Sequence, residues 1–265
     1  MTPEDFSGPL LEGGVWLWKA RHGDVEVRFT GRGPSKDREE TLRAIQPDAP
    51  PVAWAKQVHS AVTLPAQAGA CGEGDALYTA ETGLALSVVT ADCVPVLIAG
   101  SEGLAAVHAG WRGIVGGVIP AALDKMTGDP AEQTAWIGPA IGACCYEVGE
   151  DVADQVVAAS TPEVSQPGPN GKPHLDLQAA ARHQLEAAGV HRVFVLPVCT
   201  RCEEEKLWSY RREGRAAGRN MGFIWRRGDD PRGSADPLKA LRGAGKGEGL
   251  LNRLLEDRRE DRERG

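Results

Sequence analysis

Two of the chain's six histidines stand where an apolar stretch gives way to a tighter turn. His59 closes Lys56-Gln57-Val58-His59, directly after a run that reads as a strand. His108 ends the apolar stretch from Leu104 and opens Ala109-Gly110-Trp111-Arg112-Gly113. Between them, Cys93 follows another apolar run in Thr90-Ala91-Asp92-Cys93. Zinc takes neutral imidazole and thiolate readily, and three protein ligands leave a fourth position for water or substrate, as catalytic zinc sites do. By residue type and placement, His59, Cys93 and His108 form a candidate metal set. Asp92 is placed either to orient a ligand or to act as a general base. The separations match no compact zinc motif, and a single histidine at a strand end is usually structural. Spacing alone therefore leaves both readings standing.

The elements that must position these residues are set by periodicity and turn chemistry. Val15–Lys19 and Val25–Thr30 read as early strands, and a Gly/Pro/charge-rich connection runs from Gly31 to Arg38. Val52–Val58 reads as the strand that delivers His59. Leu84–Thr90 reads as a buried strand, and Pro95–Ala99 with Leu104–His108 as a hairpin turning at Gly100 and Gly103. Helical spacing covers Ile114–Met126, which would put Arg112 and the Gly-rich turn at a helix N-terminus. Thr134–Ile137 reads as a strand and Val148–Ala159 as a helix. Asp176 is the expected N-cap of a helix reaching about Ala188, with Gly189 as its stop. Val193–Val198 and Met221–Arg226 are the last expected strands. Strands and helices mix without regular alternation, which favours an α+β fold over a doubly wound parallel one.

From about Gly228 the composition turns to Arg, Asp, Glu and Gly, with Leu250–Leu255 the one stretch suited to a small helix. This divides the chain into a catalytic domain over 1–228 and a charged, mobile tail over 229–265. With 42% hydrophobic and 25% charged residues, the chain as a whole is globular rather than disordered. A net charge of −7 argues against nucleic-acid or anionic-membrane partners. The N-terminus lacks a basic stretch followed by an apolar run, and Leu84–Ala99 is interrupted by Asp92 and Pro95. The expectation is a cytoplasmic protein with neither signal peptide nor membrane span. In that compartment its six cysteines are thiols or metal ligands rather than disulfides.

Three motifs in this order, Gln57-Val58-His59, Thr90-Ala91-Asp92-Cys93 and His108-Ala109-Gly110-Trp111-Arg112-Gly113, resemble the laccase-domain family. That family was first called polyphenol oxidase or multicopper oxidase and is now treated as purine nucleoside phosphorylase and adenosine deaminase. The resemblance continues through Gly138-Pro139-Ala140-Ile141-Gly142, Cys145-Tyr146-Glu147-Val148-Gly149, His174-Leu175-Asp176-Leu177, Cys199-Thr200 and Trp208-Ser209-Tyr210-Arg211-Arg212. It runs from about Trp54 to Trp225 and is poor before that, where Thr30–Ile45 is short and charged beside the family's usual Gly-rich segment.

The resemblance implies a four-layer α/β/β/α sandwich with mixed β-sheets, of the cytotoxic-necrotizing-factor-like cysteine hydrolase type. It also implies zinc on His59, Cys93 and His108, and action on purine nucleosides. The reactions implied are phosphorolysis of adenosine, inosine, guanosine and methylthioadenosine, and deamination of adenosine. A bacterial branch is linked to editing of peptidoglycan precursors. For such substrates Arg112, Arg211 and Arg212 are candidate phosphate contacts. Trp111 and Tyr146 are candidates to stack on a purine, although either can equally pack in the core.

Three rivals use the same residues. A copper oxidase is suggested by the His₂Cys set, but a multicopper enzyme needs many more histidines, commonly in His-x-His pairs, and this chain has none. A cysteine hydrolase would use Cys93 as nucleophile and His108 as base. A binding protein would hold a fully coordinated zinc and turn over nothing. Cys199-Thr200-Arg201-Cys202 has CxxC spacing, but a zinc ribbon needs a second such pair and Cys144-Cys145 lacks the spacing. A thioredoxin-like redox role is the other reading of that spacing. Oligomeric state is expected to be a monomer or a small homo-oligomer.

Overall fold

The computed structural model describes residues 5–228. The charged tail and the expected Leu250–Leu255 helix lie outside the described residues. The fold is α+β, with two large mixed sheets and a small hairpin.

The chain opens with an antiparallel meander of β1 (Ser7–Glu12), β2 (Val15–His22) and β3 (Val25–Thr30). A helix, α1 (Arg38–Ile45), follows the Gly31–Arg38 connection, over residues where periodicity marks no element. Its signals are local: the Asp37 side chain accepts from the Glu40 N–H, an N-cap with Glu three residues on. Leu42 and Ile45 then seat the helix on the outer face of the first sheet, with Leu17 and Phe223.

β4 (Val52–Lys56) is shorter than the expected Val52–Val58. The Gln57 side chain takes over the next pairing, donating to the Val89 carbonyl at 2.7 Å and accepting from the Val89 N–H at 2.8 Å. Three short strands come next, β5 (Thr63–Pro65), β6 (Gly69–Glu73) and β7 (Ala76–Thr79).

β8 (Ala85–Thr90), β9 (Val94–Ala99) and β10 (Leu104–Ala109) match their expected ranges closely. β9 and β10 are buried at every position. Covered on both faces, they read as continuous apolar runs rather than alternating ones.

The expected helix over Ile114–Met126 is instead two short ones, α2 (Trp111–Val115) and α3 (Val118–Leu123). Gly116 and Gly117 separate them, and Gly117 takes the left-handed conformation (φ 76°) that an α-helix interior excludes. β11 (Thr134–Ile137) and α4 (Glu150–Ala158) come next, then a small hairpin of β12 (Ser165–Pro167) and β13 (Pro173–Leu175). Asp176 caps α5 (Leu177–Ala187) as expected, accepting from the Ala179 N–H, and Gly189 has φ 92° just beyond its end. β14 (Arg192–Val195) stops before Val198, α6 (Tyr210–Glu213) is a single turn capped by Ser209, and β15 (Asn220–Arg226) closes the described chain.

The first sheet has the order β1-β2-β3-β15-β8-β4-β6 and the second β14-β11-β9-β10-β7-β5. Parallel pairs (β4 with β6 and β8, β5 with β7, β11 with β14) sit among antiparallel ones. Val27, Phe29, Leu86 and Ile224 of the first sheet and Leu97, Ala106 and Trp136 of the second share one buried cluster, so the two sheets pack face to face. The other face of the second sheet packs Val96, Ile98 and Val107 against Ile114, Ile119 and Leu185 of α2, α3 and α5. Each such fully buried side chain contributes about 1.5–3 kcal/mol. Among the described residues no helix is long and apolar enough to cross a membrane.

Candidate active site

The chain passes from one sheet to the other at two places that matter for chemistry. Residues 91–93 link β8 to β9, and residues 74–75 link β6 to β7. The first crossing carries Asp92 and Cys93, the second Asp75. His59 lies in the loop leaving β4, and His108 is the penultimate residue of β10, paired opposite Pro95.

These placements bring the expected trio together. The ligand atoms of His59, Cys93 and His108 lie within 4.8 Å of one another. Cys93 Sγ is 3.9 Å from His59 Nε2, and the two imidazole rings meet edge to face with centroids 5.0 Å apart. His108 is buried, Cys93 half-buried and His59 exposed, so the cluster opens to solvent on the His59 side. Gly110 is the wall beside it. A Cβ there would stand 3.0 Å from Cys93 Sγ and 3.1 Å from His59 Cδ2, crowding the space between the two donors. A His₂Cys donor set with glycine as its wall fits a borderline-soft divalent cation.

The carboxylate behind this cluster is Asp75, which no sequence motif singles out. It is 1% exposed and accepts five hydrogen bonds. Oδ1 takes the His59 N–H at 3.0 Å and His108 Nδ1 at 2.8 Å; Oδ2 takes the Val58 N–H at 3.2 Å, the Ser60 N–H at 2.6 Å and the Ser60 hydroxyl at 2.8 Å. One side chain thus fixes the loop carrying His59 and the ring of His108. With Nδ1 committed to Asp75, Nε2 is the nitrogen of His108 left to face Cys93. A weaker signal stands in Gly74-Asp75-Ala76-Leu77, a lone acid heading an apolar strand, where burial demands partners.

The electrostatics follow from these contacts. Burial pushes the Asp75 carboxyl up, but hydrogen bonds from His108 and Ser60 outweigh it and hold the group well below the usual carboxylate range. Burial pulls His108 down, yet the bonds to Asp75 and Cys93 raise it to about 9. Burial pushes the Cys93 thiol up, and the hydrogen bonds from His108 and His59 bring it down to about 6. At neutral pH the metal-free cluster therefore holds a thiolate beside an imidazolium that is backed by a carboxylate.

Asp92 has another task. Its Oδ1 accepts the Thr200 hydroxyl at 2.6 Å and its Oδ2 the Arg211 N–H at 2.7 Å. Both oxygens tie neighbouring loops to the Cys93 turn. Asp92 (φ 96°) and His59 (φ 61°) are the two non-glycine residues with positive φ among the described residues. Such conformations are held by surrounding structure and concentrate at functional sites.

The remaining expected residues surround the cluster unequally. Tyr146 is half-buried, with the Arg211 guanidinium 5.2 Å from its ring centroid; burial, with Cys93 nearby, pushes its hydroxyl up to about 12. Arg112 is exposed and stacks on Trp111 at 4.3 Å. Arg211 donates to the Glu147 carbonyl. Arg212 donates to the carbonyls of Thr200, Arg201 and Leu207 and to Glu213, which engages all five of its N–H groups. The expected helix N-terminus at Arg112 is a five-residue helix, so little dipole is available there.

A mixed α+β fold with a His₂Cys cluster at the crossing between two sheets defines the class. The chain belongs to the multi-copper polyphenol oxidoreductase laccase family, whose model matches residues 35–227. The match reaches back beyond Trp54, to the segment that carries α1. A purine nucleoside phosphorylase of Streptomyces coelicolor is 43% identical over 198 residues, covering 71% of this chain and 81% of that protein. One from Deinococcus radiodurans is 39% identical over 198 residues, covering 73% and 77%. Among solved structures, YlmD from Geobacillus stearothermophilus superposes with a TM-score of 0.72 at 27% identity, covering 85% of this chain and all of that one. A Neisseria meningitidis protein gives 0.69 at 33% identity, covering 80% and 99%.

Proposed function

We propose that this chain is a zinc-dependent purine nucleoside phosphorylase that also deaminates adenosine, with zinc on His59, Cys93 and His108. The observation that carries the reading is the convergence of those three donors over the buried Asp75, in a family whose curated relatives are named purine nucleoside phosphorylases. The substrates are adenosine, inosine, guanosine and methylthioadenosine with phosphate. The catalytic unit is residues 1–228, in the four-layer α/β/β/α arrangement, and it works in the cytoplasm as a monomer or small homo-oligomer. When bound in such a site, zinc supplies Lewis acidity and lowers the pKa of a coordinated water.

The protein's own residues do the rest. Asp75 holds His108 in the tautomer that presents Nε2. Arg112 and Arg211, both exposed beside the cluster, hold the phosphate that attacks the ribose C1′ as the purine leaves. Tyr146, with its ring half-buried under Arg211, forms the wall against which the purine stacks. Asp92 positions the Cys93 turn, and the spent donors of Arg212 give it a framework role.

The test is chromatographic. Purified protein of known zinc content is incubated with adenosine and inosine, with and without phosphate. Phosphate-dependent release of adenine or hypoxanthine, in proportion to bound zinc, is the expected result; full occupancy with no turnover would move the assignment to peptidoglycan-precursor editing or to a binding role. Arg112→Ala and Arg211→Ala should each raise the KM for phosphate about 10- to 100-fold, the equivalent of one lost charge-assisted hydrogen bond, with the nucleoside KM little changed. An equal rise in both KM values would reject the phosphate role.

The pH dependence of zinc binding follows from the same cluster. Zinc needs His108 neutral, whereas the metal-free site keeps it protonated up to about pH 9. Raising the pH removes the competing proton, so affinity climbs about tenfold per pH unit between about 6 and 9 and levels off above. Below about 6 the Cys93 proton also competes and the slope steepens. Calorimetry in buffers of different ionisation enthalpy should register about one proton released at neutral pH for the zinc that enters the His59–Cys93–His108 site; no release would contradict this.

A second reading is favoured by one observation: Cys93, His108 and Asp75 are ordered as thiolate, imidazolium and carboxylate, the arrangement of a cysteine hydrolase acting, for example, on peptidoglycan precursors. Metal content separates the two, because a ligated thiolate is not a free nucleophile.

A further inference from the structure

A second cluster of donors lies outside the His59–Cys93–His108 site. β11 and β14 are parallel neighbours, so the loops leaving them emerge side by side, and an Ala140–Cys199 bridge continues their pairing. The first loop carries Cys144 and Cys145, the second Cys199 and Cys202. Their four sulfurs all lie within 4.8 Å of one another. Cys144 and Cys145 are 3.6 Å apart, Cys144 and Cys202 3.7 Å, and Cys145 and Cys202 3.5 Å.

We propose that Cys144, Cys145, Cys199 and Cys202 form a second metal site, a closed tetrathiolate centre for zinc. Zinc–sulfur bonds of about 2.3 Å in tetrahedral array place the sulfurs about 3.8 Å apart, close to the spacing here. A disulfide requires about 2.05 Å, and no pair is singled out as closer than the rest. The surroundings suit bound thiolates. The Gly142 N–H points at Cys199 Sγ at 3.3 Å, and the backbone N–H groups of Arg201 and Cys202 reach the same sulfur. The Arg201 guanidinium hydrogen-bonds Cys145, offsetting the negative charge of four thiolates around one divalent ion. A Cβ on Gly142 would stand 3.3 Å from Cys144 Sγ and 3.4 Å from Cys199 Cβ, so glycine leaves the sulfurs room to converge.

Four protein ligands leave no open position, which makes the site structural rather than catalytic. What it would hold is specific. Tyr146 follows Cys145, and Thr200 follows Cys199 and bonds Asp92 beside Cys93. The metal would clamp together two loops that frame the His59–Cys93–His108 cluster.

The experiment uses the full chain purified anaerobically under reducing conditions, with zinc counted by elemental analysis and native mass spectrometry. The expected content is about two zinc ions per chain in the wild type and about one in Cys93→Ala, where only the tetrathiolate site remains. In Cys93→Ala, Co²⁺ replacing that zinc should give intense thiolate-to-cobalt charge-transfer bands with the visible bands of a tetrahedral ion. Cys202→Ser should lose that ion. Should it fail to fold, Cys202→His, which keeps a zinc ligand, should bind the ion again with a weaker charge-transfer band. The proposal is overturned if Cys93→Ala binds no metal, if its cobalt spectrum lacks thiolate bands or is the same in Cys202→His, or if the anaerobic protein carries disulfides among these cysteines. None of these readouts depends on nucleoside turnover.

Discussion

Cys93→Ala should abolish nucleoside phosphorolysis, by more than about a thousandfold in kcat/KM, while leaving the fold in place. The size follows from what is removed. A metal that stabilises transition-state charge is worth several kcal/mol, and each 1.36 kcal/mol is about tenfold in rate. Two imidazoles alone, one of them exposed, make a poor zinc site, so a zinc ion held there would leave with the thiolate. The fold survives because Cys93 is half-buried at a sheet crossing, and the turn is held by contacts that do not involve its sulfur. Asp92 keeps Thr200 and Arg211, and the Ile141 N–H keeps the Asp92 carbonyl. Kinetics with inosine and phosphate, beside a zinc count and a circular dichroism melt, checks all three claims. Retained activity would remove Cys93 from the mechanism. Activity lost in the variant but indifferent to zinc in the wild type would favour the cysteine-hydrolase reading.

How much the sequence disclosed depended on how far each feature's cause extended along the chain. β8, β9 and β10 were legible because strands buried on both faces must be apolar throughout, and they delivered Cys93 and His108 at their ends. α5 was legible because Asp176 and Gly189 bracket it. The break between α2 and α3 was not, because apolar spacing runs on across Gly116-Gly117 and only backbone conformation stops the helix. α1 was hard to see although Asp37 and Glu40 announce it; a charged, eight-residue helix with few apolar positions gives weak periodicity. β5, β6 and β7 are three to five residues long, too short for a period to register.

The His59–Cys93–His108 cluster itself was legible as a set of donors, but its support was not. Asp92 stands out in sequence as the acid adjacent to Cys93, whereas the carboxylate behind His108 is Asp75, set opposite it by the antiparallel pairing of β7 with β10 within the second sheet. Cys199 and Cys202 have ligand spacing but Cys144-Cys145 does not, so a linear rule finds only half of that set, whereas parallel pairing of β11 and β14 brings the four sulfurs together.

Asp75→Asn is the change with the second largest expected effect, and it separates positioning from ligation. The substitution keeps the shape and replaces one acceptor oxygen with an NH₂ group. Every partner of Asp75 is a donor: three backbone N–H groups, the Ser60 hydroxyl and His108 Nδ1. Whichever way the amide turns, it sets N–H against N–H in a site that is 1% exposed. Breaking a buried charge-supported network of this kind costs about 3–5 kcal/mol, which in a domain of this size lowers Tm by about 6–20 °C. The sign of the pH effect is fixed as well. Because the Asp75 pKa is depressed on folding, its stabilisation is complete above the unfolded carboxylate range and is lost as pH falls toward the folded value. The variant should lack that acid-dependent component. Zinc affinity should fall about 10- to 100-fold, since His108 loses the acceptor that sets its tautomer and basicity. His59, Cys93 and His108 all remain, so excess zinc should restore much of the lost kcat, which no excess can do for Cys93→Ala. Chelator competition and zinc-dependent kinetics give the comparison. Wild-type zinc affinity in Asp75→Asn would mean that the buried carboxylate braces the loop alone, whereas a loss that zinc cannot rescue would place Asp75 in the chemical step itself.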